Sequence, residues 1–452
     1  MPTDLPRKIV TAAKEQIQRL RRASSETLRR IAAAAKLQIR ALKSDPVGTL
    51  RRDSTAARTQ IQELQRQPKR LTKAGLAILV LATLAAATPW LSLSRLMHAY
   101  LIGVCFWLSI SLGALFFVVL QHLTRARWSV VVRRIAELIA STLPTTGWLM
   151  LPIVVPLLFG SASLYKWNDQ AIREADPLVI VKAPYLNAPF FTLRCVIYFV
   201  AWSAMARFYL RKSTEQDRTN DFAPTQSMRF WSGPCMLIFA ITVNFAAFDW
   251  LMSLDPHWFS TIFGVYFFAG CAVAIFAAIP LAAAVLQGQG AIQNEITTEH
   301  YHDLGKLLFG FTFFWAYIAF SQFLLIWYAN IPEETVWFLR RQQHGWQYVA
   351  VVLIMGHFAL PFFGLMSRAS RRNRSVLTAW AMVLLVMHWV DLYWVAMPSA
   401  SPKSAWPGMV ELFTLVGVGA IWTASLLQRL DGAVLIPTGD PYLAESLEFH
   451  NV

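Results

Sequence analysis

The chain has 452 residues, of which 56% are hydrophobic and 15% charged, and it carries a net charge of +15. Its mean hydropathy of +0.43 and its long apolar runs exclude a soluble globular protein. The charge does not mark a nucleic-acid binder: residues 1–73 hold 18 Lys/Arg against six Asp/Glu, and no aromatic side chain there could stack on a base.

In chain order, residues 9–43 read as an amphipathic helix. Leu28, Ile31, Ala35, Ile39 and Leu42 recur at spacings of three and four, with Arg29, Arg30, Lys36 and Arg40 elsewhere on the wheel. Ser44-Asp45-Pro46 breaks it, and a second polar helix is expected over 54–67. A basic face beside a thin apolar stripe suits an anionic membrane surface, with a partner's helix as the second reading. No nucleic-acid partner is expected.

Ten runs then follow, each long enough to cross about 30 Å of hydrocarbon as a helix. They lie near 74–93, 97–123, 139–160, 189–210, 231–251, 258–286, 305–328, 346–366, 376–397 and 408–427. The chain therefore divides into a basic extension over 1–73, a transmembrane domain over 74–430 and a tail over 431–452. The fold class is an all-α integral membrane protein. Alternate loops concentrate arginine: Arg125, Arg127, Arg133 and Arg134; Arg207 and Arg211; Arg368, Arg371, Arg372 and Arg374. Basic loops stay inside, so both termini are expected in the cytoplasm, although the acidic loop 287–304 fits poorly. No apolar h-region follows the first basic residues, so the first span is expected to act as an uncleaved signal.

The four cysteines, Cys105, Cys195, Cys235 and Cys271, show no CxxC or CxxCH spacing, so no metal ligation and no covalent haem is expected. The ionisable residues of the spans are the functional candidates, because charge in a bilayer is costly unless it faces a partner or a cavity. They fall into three layers. Asp249, Asp255, His257, Asp391 and Glu411 lie near the outer surface, and His357 and His388 near the middle. Glu295, Glu299, His300, His302, Asp303 and Lys306 lie at the inner surface, and Tyr317, Ser321 and Gln322 continue along that span. His388 and Asp391, three apart, share a helical face. Such a series suits proton transfer, written as Lys306 and Asp303 to His302, through Tyr317 and Ser321 to His388 and His357, then out by Asp391, Asp249 or Glu411. The structural alternative makes Asp249, Asp255 and Glu411 interfacial caps and the inner cluster a solvated loop. A rival reading uses His357 and His388 as axial haem ligands; the lack of a second His pair counts against a two-haem cytochrome b.

Four stretches carry a family likeness: LGALFFVVLQHLTRARWSVVVRRIAE (112–137), FDWLMSLDPHWFSTIFGVYFFAG (248–270), EHYHDLGKLLFGFTFFWAYIAFSQFLLIWYANIPEETVWF (299–338) and LIPTGDPYLAESL (435–447). Together they resemble the ActF-type membrane subunit of alternative complex III, the bacterial quinol:cytochrome c oxidoreductase, within the NrfD/PsrC-like superfamily. The resemblance runs from about residue 95 to the end. It implies ten helices built around two four-helix bundles, in the bacterial inner membrane, with no cofactor in this chain. The implied partners are a homologous ten-helix quinol-binding subunit and periplasmic subunits carrying c-type haems and iron–sulfur clusters. The implied role is to stabilise the assembly and conduct protons. The basic extension departs from the family pattern. Two other functions remain open at this stage: quinol oxidation in this chain itself, at Asp249, His257 and Asp391, and secondary transport, for which Pro280 and Pro361 would interrupt spans.

Overall fold

The computed structural model describes residues 68–86, 92–292, 295–431 and 433–451. The amphipathic helices expected over 9–43 and 54–67 lie outside them. Contacts divide the chain into two units, 64–287 with 291–452, and 1–63 with 288–290. All the packing below is within the first. Among the described residues every regular element is a helix.

The helices are α1 (Pro68–Ala86), α2 (Leu93–Leu123), α3 (Val130–Leu158), α4 (Ala188–Thr219), α5 (Ala223–Trp250), α6 (Phe263–Gly288) and α7 (Thr298–Ala329). A short α8 (Pro332–Arg340) precedes α9 (Trp346–Met366), α10 (Arg374–Ala396), α11 (Met409–Leu430) and the terminal turn α12 (Leu443–Leu447). Nine helices among the described residues are long and apolar enough to cross a membrane, so the chain is a membrane-spanning protein. The first expected span is described only as α1, which begins six residues earlier than the apolar run and packs on α11.

Caps set the helix ends. Ser92, Asn187 and Asn373 each accept a backbone N–H of the first turn, and Thr297 and His300 form a capping box on α7. Asn220 and Asn330 end α4 and α7 in the left-handed region, at φ 52° and 48°. In α9 the backbone passes through a π turn, Ile354–Ala359, just before Pro361, whose missing N–H disrupts the α ladder.

The hub is α2, whose most apolar stretch is 94% buried. It packs against α1, α3, α4, α5, α10 and α11. Gly113 also lets α6 come close: a Cβ there would lie 2.2 Å from the Cys271 carbonyl oxygen on α6.

Hydropathy placed the third span at 139–160 and left Arg133, Arg134 and Glu137 in a loop. The helix in fact starts at Val130, and all three are buried in it. Their charges are met locally. Arg134 Nε lies 3.0 Å and Arg133 Nε 3.6 Å from the Glu137 carboxylate. Arg134 also donates to Asp217 (2.7 Å), Ser213 (2.9 Å) and the Val434 carbonyl (3.0 Å), and Arg133 pairs with Asp440. The segment 433–451 is thereby packed back on the helices, helped by Arg127 on Glu445 (2.7 Å), Ser446 donating to the Trp128 carbonyl (2.7 Å) and Lys306 donating to Asn451 (2.8 Å). Two of the stretches that carry the resemblance, 112–137 and 435–447, meet in this network.

Glu137→Gln should remove the carboxylate that both arginines share, while Asp440 and Asp217 still pair with them, costing about 1–3 kcal/mol. The expected result is a lower thermal unfolding temperature in detergent and faster proteolysis of the tail; an unchanged melting curve would show that the network carries no stability.

Candidate functional site

The carboxyl groups of the apolar layer sort by partner. Asp249, fully buried on α5, accepts two hydrogen bonds from Arg194 of α4, each 2.8 Å, and one from the Tyr198 hydroxyl at 2.7 Å. Tyr185 stacks on that guanidinium at 3.8 Å. Glu411 caps α11 by accepting from Gly408 N–H (2.7 Å) and pairs with Arg95 of α2 at 2.7 Å. Asp255 pairs with Arg340 at 2.6 Å, and the exposed His257 donates to Asp176 at 2.6 Å. Burial pushes the Asp176 carboxyl up, but the His257 hydrogen bond and charge and the Leu178 and Val179 N–H groups outweigh it and hold the group below its usual range. Asp249, Asp255 and Glu411 are thus ion-paired, which fits the structural reading and removes Asp249 and Glu411 from the exit of the proton route.

Asp391 differs. It is buried on α10 with no cation in ion-pair contact among the described residues; its hydrogen bonds come from neutral donors, the Tyr266 hydroxyl of α6 and Trp315 Nε1 of α7 at 3.1 Å. One turn away is His388. Ser109 of α2 gives its hydroxyl hydrogen to the Phe106 carbonyl (2.7 Å), so the 2.8 Å contact with His388 has Nε2–H donating to Ser109. In the neutral ring Nδ1 is then the acceptor, and it has no hydrogen-bond partner among the described residues. A cavity of about 10 Å³, enough for about one water, lies between His388, Asp391, Tyr266 and Gly270. Gly270 makes the fit: a Cβ there would lie 2.7 Å from His388 Cε1. His357 completes the group from the π turn of α9. It is fully buried, its ring is 3.9 Å from Trp315 and 6.4 Å from His388, and neither nitrogen has a hydrogen-bond partner among the described residues.

The expected route is not continuous. Tyr317 is 57% exposed on the outer flank of α7, and Ser321 is only half-buried. The buried stripe of α7 runs through Leu304, Leu308, Thr312, Trp315 and Gln322 instead, and Gln322 accepts from Ser260 at 3.0 Å. At the start of α7, Asp303 pairs with Lys306, Glu299 with Arg372 (2.8 Å), and His300 Nδ1 accepts from Thr297 N–H (3.0 Å); His302 is buried with neither nitrogen partnered. From Asp303 to Trp315 the helix rises about 18 Å at roughly 1.5 Å per residue. The fully buried Leu304, Leu308, Leu377, Ala381 and Leu384 flank that interval. The inner cluster and the His357–His388–Asp391 group are therefore two sites.

Asp249, His257 and Asp391 are held by separate partners, Arg194, Asp176 and Tyr266. Sequence reasoning missed Ser109, Arg194, Tyr266 and Trp315. An arginine inside the run FFTLRCVIYF was a readable signal, since a cation at that depth requires an acid. No family model matches the chain, and no curated protein does. No group of His, Cys, Asp and Glu able to hold a metal ion is found among the described residues.

Asp249→Asn should strand Arg194 as an unpaired buried charge and cost about 3–5 kcal/mol. Asp391→Asn breaks no ion pair and should change the unfolding temperature much less. Equal losses in the two variants would erase the distinction between them.

Proposed function

We propose that this chain is the ActF-type membrane subunit of an alternative complex III, a respiratory quinol:cytochrome c oxidoreductase of the bacterial inner membrane. It is a cofactor-free structural core with a proton-transfer group in its interior. It adjoins a homologous ten-helix quinol-binding subunit and lies beneath periplasmic multihaem cytochrome c and iron–sulfur subunits. The spans form the two four-helix bundles of that family, and both termini are cytoplasmic, because the face carrying Arg127, Arg371 and Arg372 is the more basic.

The observation that carries the proton-transfer reading is the environment of Asp391, a buried carboxyl hydrogen-bonded by neutral donors and one turn from a histidine with a free acceptor nitrogen. Its proton can come and go without breaking an ion pair. A proton arriving at His388 Nδ1 crosses the intervening one-water space to a carboxylate oxygen of Asp391, and Tyr266 and Trp315 hold that oxygen pair in place. His357, packed on Trp315, supplies the next basic nitrogen on the same wall. The ion-paired Asp249 and Glu411 hold helices together and take no part.

Purification of the chain through a tag in gentle detergent, with mass spectrometry and a visible spectrum, tests the assembly. Co-elution with a multihaem cytochrome c, an iron–sulfur protein and a second ten-span protein supports it; a colourless chain running alone refutes it. Within the complex, His388→Ala should leave assembly intact and lower the protons released per electron, and an unchanged stoichiometry would count against the transfer group.

A further inference from the structure

A second cavity, of about 490 Å³, opens on the flank of the bundle between α7, α8, α9 and the end of α10. Its walls are apolar, formed by Ala319, Phe323, Phe338, Ala350, Leu353 and Phe358. At its rim Phe320 and Ile354 are each 60% exposed on the surface that faces lipid. Size and lining suit one elongated apolar ligand.

Its polar end is the unusual part. Arg341 lines the cavity and is 2% exposed, yet it has no carboxylate partner among the described residues; the neighbouring acid, Asp255, pairs with Arg340. Three carbonyls hold the guanidinium: those of Trp394 (3.0 Å, from Nε), Trp337 (2.8 Å) and Val395 (2.6 Å). Trp337 packs against its face at 3.3 Å. A guanidinium has five N–H donors, so two have no acceptor among the described residues. The indole N–H of Trp394, which lines the same cavity, is also buried without a partner among the described residues. Burial pushes Arg341 well down from its ordinary value, and the Asp255 carboxylate offsets only part of this. A buried cation of this kind is normally met by an anion.

We propose that this cavity binds an acidic lipid, its acyl chain between α7 and α9 and its oxyanion head on Arg341 and the Trp394 indole N–H. The protein supplies spare donors and a positive charge at one end and hydrocarbon walls along the rest, which selects an anionic head over a neutral one. The head is a carboxylate or a phosphate, from a fatty acid or from a phospholipid.

The test is native mass spectrometry of the full chain, within whatever complex it purifies in, after incubation with oleate, phosphatidylglycerol, phosphatidylcholine or a short-chain neutral quinone. One bound oleate or one bound phosphatidylglycerol per chain is expected, and which of them is retained identifies the carboxylate or the phosphate head. Arg341→Gln should reduce retention at least fivefold and Arg341→Lys less. Arg341 also ties helix ends together, so Ala350→Phe serves as the second variant: it fills the cavity, leaves the arginine in place, and should abolish retention with the unfolding temperature little changed. Retention of phosphatidylcholine or the neutral quinone as strongly as of the acidic lipids, no retention of any, or retention unaffected by both Arg341→Gln and Ala350→Phe would overturn the proposal.

Discussion

Every charge carried into the apolar layer must be met there, because water is not available to meet it. That constraint organises this molecule. Arg194 and Asp249 join α4 to α5, Arg95 and Glu411 join α2 to α11, and the Arg133–Arg134–Glu137 group ties α3 to α4 and to the segment after α11. Each pair costs desolvation and returns little net stability, but it fixes which helix lies beside which. Glycine supplies the other half of the arrangement. With apolar side chains equally at home in lipid, close backbone approach and van der Waals contact hold helices together, and Gly113 brings α2 and α6 into such contact.

Against this background the exceptions are chemically informative. Asp391 is a buried acid served by neutral donors, and Arg341 is a buried base served by carbonyls. They stand on opposite sides of Tyr266 and Trp315, which line the larger cavity and also donate to Asp391. One exception faces a space for about one water and a histidine, the other a space for a long apolar molecule. The first can change its proton content, and the second can gain an anion. Two of the carbonyls that hold Arg341, those of Trp394 and Val395, lie where α10 ends, whereas Asp391 sits within its regular part.

Much of the fold was legible. Among the described residues nine of the ten apolar runs correspond to helices long and apolar enough to span, because hydropathy measures the solvent and a bilayer admits few backbone solutions. The boundaries were less legible. The helices α3, α4, α5 and α7 run past their apolar runs because helical hydrogen bonding continues into the polar zone until a cap such as Thr297 before α7 or Asn220 after α4 stops it. The inner cluster at the start of α7 read as a proton entrance. Its Asp303, Glu299 and His300 are instead engaged with Lys306, Arg372 and Thr297.

The sequence by itself determined the solvent, the helical class and the short list of buried ionisable residues, all properties of local composition and of the spacing of side chains along a helix. Even the shared face of His388 and Asp391 was a matter of three residues' separation. Only the tertiary structure decided which acids have a base. Arg194 and Asp249 are 55 positions apart, Arg95 and Glu411 316, and Tyr266 and Asp391 125. Partners so distant in the chain leave no periodic trace, since contact between helices is set by which faces pack. The same packing turned Tyr317 toward lipid and Trp315 inward, two positions apart on one helix, and so moved the candidate site from a line through the membrane to a compact group around Asp391.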